Sequence, residues 1–97
     1  MTNMAEDYII AIEEKLDELM SDDNAPRDVL SLAQDLRQEY PTEFKRFTSK
    51  MAEKYKLSVC GAHHVHINGL LTILDRWAEE GKVNKIIEKG TILWQKK

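Results

Sequence analysis

Apolar residues recur at helical spacing over most of the chain. Between Met4 and Met20 they fall at Ala5, Ile9, Ile12, Leu16, Leu19 and Met20, with Glu13, Glu14, Asp17 and Glu18 off the stripe. That spacing predicts an amphipathic helix. Ser21, Asp22, Asp23 and Asn24 interrupt it, and Pro26 suits the first turn of a second helix with Asn24 as its cap. The second stripe is Val29, Leu32, Ala33, Leu36 and Tyr40. Pro41 ends it, because the residue before a proline is driven out of the helical basin. Thr42 is placed to cap a third helix, with Glu43 in its first turn complementing the helix dipole. Its stripe is Phe44, Phe47, Thr48, Met51 and Tyr55, and Lys45, Arg46, Lys50 and Lys54 point outward. From Lys56 to Val65 no helical period is present, and residues 58–61 read as a loop or a short strand.

The fourth pattern is the strongest. Ile67, Leu70, Leu71, Leu74, Trp77 and Ala78 lie on one face of a helix that ends near Gly81. The period then changes. Lys82–Glu88 and Thr91–Gln95 are β-branched-rich segments around Lys89 and Gly90, which predicts a hairpin. An isolated two-stranded hairpin is marginal, so this one has to pack on the helices. The expected fold is mainly α with a C-terminal β-hairpin: about four helices and two strands. With no repeat and no linker, residues 1–97 read as one domain, an acidic helix over 1–23 ahead of a core over 24–97.

Composition narrows the function classes. The chain has 97 residues, 42% hydrophobic and 32% charged, as a soluble globular domain would. No segment approaches the roughly 18 apolar residues that a membrane span needs. The first residues carry acids and lack a basic segment followed by an apolar one, so no secretory signal is expected and the cytoplasm is the expected compartment. Cys60 is the single cysteine, which excludes an internal disulfide and a four-cysteine zinc site. The net charge of −3 conceals a polarity: residues 1–43 hold 12 acids and 3 bases, residues 44–97 hold 5 acids and 11 bases. A basic back half points to a polyanionic partner.

The stretch Leu70–Val83 (LLTILDRWAEEGKV), with the hairpin running on to Trp94, resembles the end of a winged helix-turn-helix domain. In that superfamily the helix before the hairpin is the recognition helix and the hairpin is the wing. Met51–Ser58 (MAEKYKLS) is similar to the end of the preceding helix, where an alanine sits against its partner and a serine follows the turn. The resemblance covers about residues 28–97 and departs from the superfamily at one place. Ser58 and Gly81 are 23 residues apart, more than the usual spacing. Either the recognition helix starts near His66 after a longer loop, or the Met51–Ser58 match is accidental.

Residue chemistry adds to that resemblance. At 100° per residue, the face opposite Ile67, Leu70, Leu74 and Trp77 carries Val65, Gly69, Thr72 and Arg76, with Asn68 at its edge. Asn and Arg pair with adenine and guanine edges, and Gly69 on that face would allow close approach to a groove. Asn68, Thr72 and Arg76 are therefore the base-edge candidates. Lys50, Lys54, Lys82, Lys85 and Lys89 are the phosphate candidates, giving salt-sensitive affinity without sequence preference.

Cys60, His63, His64 and His66 form the one metal-capable cluster. Thiolate and imidazole are zinc ligands, but structural sites usually draw them from two separated segments, and adjacent His63 and His64 do not aim easily at one ion. No cofactor is expected. Neither a phosphate-binding glycine loop nor a nucleophile with an orienting partner is present, so no enzyme is expected. The first helix needs a cover for its stripe: the domain's own core, or a partner subunit in a two-fold dimer. The expected function is a small DNA-binding transcriptional regulator whose partner is double-stranded DNA. The alternatives are a winged-helix protein-interaction module and a small metal-responsive protein using Cys60 and the histidines.

Overall fold

A computed structural model describes residues 7–22, 25–54 and 65–97, apart from the side chains of Lys54, Val65 and His66. Its elements follow in the order α1 (Asp7–Asp22), α2 (Val29–Glu39), α3 (Pro41–Lys54), α4 (Val65–Glu79), β1 (Val83–Glu88) and β2 (Thr91–Lys96). The fold is mainly helical with a C-terminal antiparallel hairpin, as the periodicity predicts.

Local chemistry sets the ends of these elements. Asp28, in extended backbone, accepts a hydrogen bond from the Ser31 N–H and caps α2. The cap is therefore not Asn24, which lies outside the described residues, and Pro26 precedes the helix rather than opening it. Tyr40, pushed to φ −133° ahead of Pro41, closes α2. Pro41 itself takes the first position of α3, one residue before the cap expected at Thr42. At the end of α4, Gly81 adopts φ +80° while its N–H reaches the Ala78 carbonyl (3.2 Å) and the Lys82 N–H reaches that of Trp77 (2.8 Å). This is a Schellman closure, and it turns the chain directly into β1.

The hairpin register pairs Glu88 with Thr91, leaving Lys89 (φ +51°) and Gly90 (φ +78°) as a two-residue type I′ turn. Val83, Lys85, Ile87, Ile92, Trp94 and Lys96 share one face of the ribbon. Val83 and Trp94 bury that face against the helices, whereas Ile87 and Ile92 remain exposed nearer the turn. Arg27 exchanges both backbone hydrogen bonds with Trp94 (3.0 and 2.8 Å), so the segment between α1 and α2 lies along the other side of β2 as a third, one-residue edge.

The core draws on every element: Tyr8, Ile12 and Leu16 of α1, Leu32 and Leu36 of α2, Phe44 and Phe47 of α3, Leu70, Leu74 and Trp77 of α4, Val83 of β1 and Trp94 of β2. From Tyr8 to Met20 the α1 stripe is thus covered by the chain's own core. A dimer built on that stripe would compete with the fold. No helix among the described residues is long and apolar enough to cross a membrane.

Candidate nucleic-acid interface

The buried side of α4 is rotated from the one expected. Ile73 joins Leu70, Leu74 and Trp77 in the core, while Ile67, Leu71 and Ala78 are half-buried. The rotation follows from Gly69, which is buried rather than facing a groove. A Cβ placed on it would lie 2.6 Å from Phe47 Cζ and 3.1 Å from Met51 Cε. The missing side chain therefore brings α3 against α4, and close approach to a ligand is not its role.

With that rotation the outward face of α4 carries Asn68, Thr72, Asp75, Arg76 and Glu79. Thr72 donates its hydroxyl to the Asn68 carbonyl (3.0 Å), which fixes its rotamer and leaves its lone pairs outward. Arg76 is ion-paired to Glu13 of α1, so its guanidinium is engaged within the chain instead of being held out for a guanine. Asp75 and Glu79 bring negative charge to the last turns, whereas residues 65–74 contain no carboxylate at all. The helix is neutral where it begins and anionic where it ends.

Most of the lysines expected at phosphates have intrachain partners. Lys85 reaches Asp75 (3.2 Å) and lies 5.4 Å from the centre of the Trp94 ring, so it braces β1 against α4. Lys82 lies 3.5 Å from Glu80, and Lys50 lies 3.8 Å from Glu53. All three pairs are well exposed, a setting in which an ion pair is worth about 0–1 kcal/mol and can be exchanged for a phosphate. Lys89 at the turn and Lys45 and Arg46 on α3 are exposed with no carboxylate partner among the described residues. Lys45 and Arg46 were legible as outward-facing cations, but their standing as uncompensated ones depends on which lysines find acids in the fold.

The side chain of Lys54 lies outside the described residues, as do Cys60, His63, His64 and the His66 imidazole. Among the described residues no group of three or more metal-capable side chains comes together. The fold also joins three polar residues spaced four apart, which the apolar stripes leave unmarked. Arg27, largely buried, binds the Ser31 hydroxyl (2.7 Å), the Ser31 carbonyl (3.2 Å) and Asp35. Comparison with family models, curated proteins and solved structures returns no match.

Proposed function

We propose that the chain is a winged helix-turn-helix DNA-binding protein, a non-catalytic regulator of transcription working in the cytoplasm. The hairpin is the wing and α4 is the recognition helix, entering the major groove of double-stranded DNA by its N-terminal half. The observation that carries this reading is the division of charge along α4. Its first turns expose Asn68 and Thr72 without any acid, and the carboxylates are confined to its far end. Asn68 is the side chain suited to an adenine edge and Thr72 to a neighbouring base. Arg76 serves instead to tie α4 to α1. Lys89, Lys45 and Arg46 hold phosphates, with Lys82, Lys85 and Lys50 available by partner exchange.

The test is fluorescence anisotropy with random and selected duplexes across a salt series. Lys89→Glu and Lys45→Glu should weaken binding to every duplex, while Asn68→Ala should mainly flatten the preference among them, by about 1–3 kcal/mol at one base pair. Absence of binding at about 50 mM salt would reject the reading, because the phosphate contribution is large there.

One observation favours a second reading, a protein-interaction module on the same fold. Ile87 (72% exposed) and Ile92 (39%) are directly paired across the hairpin and share an uncovered apolar surface. Under that reading the charge-neutral Ile87→Ser abolishes partner binding and leaves any DNA affinity unchanged.

A further inference from the structure

We propose that the cleft between α1 and the base of the hairpin is a binding site for a small organic zwitterion with an apolar span between its two charges. The cleft has a volume of about 530 Å³, within the roughly 300–1,000 Å³ usual for small-molecule sites. Its apolar lining is Met20, Trp77 and Val83, three buried core residues that border the opening here. From α1, Glu13 and Glu14 contribute carboxylates. From the turn after α4 and the end of β2, Lys82 and Lys97 contribute ammonium groups.

Two intrachain ties hold these walls in place. Arg76 grips Glu13, and Lys96 grips Asp17 (2.8 Å), fastening α1 to α4 and to β2 on either side of the cleft. Glu14 and Lys97 have no ion-pair partner among the described residues, so each retains its full demand for an opposite charge. A ligand with a single charge satisfies one wall and is repelled by the other. A ligand with an amine at one end and a carboxylate at the other satisfies both, and its hydrocarbon span lies along the apolar lining.

The cleft shares Lys82 with the proposed phosphate contacts, but its ligand binding does not require DNA. It is tested on the protein alone, by following the indole N–H resonances of Trp77 and Trp94 in the isotope-labelled chain. Trp77 lines the cleft; Trp94 is buried beneath Lys85 and serves as internal reference. ε-Aminocaproate should move the Trp77 resonance saturably and leave that of Trp94 in place. Hexylamine and hexanoate, which each keep one charge, should bind about tenfold more weakly, and Glu14→Gln and Lys82→Gln should each weaken ε-aminocaproate by about the same factor. Both residues are exposed, so the substitutions leave the fold intact. A Trp77 resonance that does not move, or one that responds equally to all three compounds, would overturn the proposal.

Discussion

Gly69 shows how much one missing methyl group can determine. Alanine is worth about 1 kcal/mol more than glycine in a helix interior. At this position its Cβ would stand 2.6 Å from the ring of Phe47, itself 1% exposed and hemmed in by the core. Overpacking of this kind costs about 1–3 kcal/mol, so the steric term outweighs the propensity gain and Gly69→Ala should destabilise by up to about 2 kcal/mol net. A lower urea midpoint at unchanged slope would show it; a higher midpoint would mean that Phe47 can swing aside. At Gly81 the balance rests on other grounds. Nothing lies within 4 Å of the added Cβ, but φ is +80°, so Gly81→Ala should cost about 1 kcal/mol through backbone strain alone. The two glycines look alike in the sequence. The one before Lys82 could be read as a helix stop because the apolar period ends there. The buried one could not, because its cause is a ring contributed by another helix.

At the scale of elements, the seam between α1 and α2 carries a titratable link. The Tyr40 hydroxyl donates to the Glu18 carboxylate (2.9 Å), and this hydrogen bond is the main reason why its pKa is raised above the ordinary 10.0. Partial desolvation and the negative charges of Glu18, Asp22 and Glu39 act in the same direction. Because the folded-state pKa is the higher one, the stabilisation is complete below the ordinary value and is lost as pH rises through the raised one. Glu18→Gln should bring the Tyr40 titration, followed by its ring resonances, back toward the ordinary range; an unmoved titration would reject the assignment. The core side of α1 carries far more energy than this seam. Leu16 is fully buried, and Leu16→Ala should cost about 2–5 kcal/mol in chemical unfolding.

Element order and most boundaries were legible because each stripe belongs to one segment. The hairpin was legible because Lys89-Gly90 sits between two β-branched runs and forms the turn directly. The rotation of α4 was not. Ile73 and Leu71 are equally apolar in the sequence, and the contact of α3 with Gly69 decides which of them is buried. The candidate site was half legible for the same reason. Asn68, Thr72 and Lys89 are exposed as expected, but the acids that engage Arg76 and Lys85 come from α1 and α4 through tertiary contact. Residue spacing along one helix carries no information about those partners.

For the molecule as a whole, the polarity seen along the sequence becomes a division of labour in space. The acidic α1 is attached by an apolar stripe and edged by ion pairs to Arg76 and Lys96, so its carboxylates neutralise cations of the basic half. With that stripe enclosed, the protein should sediment as a monomer at micromolar concentration. A dimer would require another surface, the exposed Ile87–Ile92 pair being the first to test by Ile87→Asp. The manner of attachment also has a practical result. Added electrolyte loosens the exposed ion pairs of α1 only slightly and does not weaken the burial of Ile12 and Leu16, whereas a complex held through phosphates falls apart steeply over the same range. Elution from a DNA column by a salt gradient should therefore release protein whose far-ultraviolet dichroism is unchanged, separating loss of the complex from loss of the fold in one experiment.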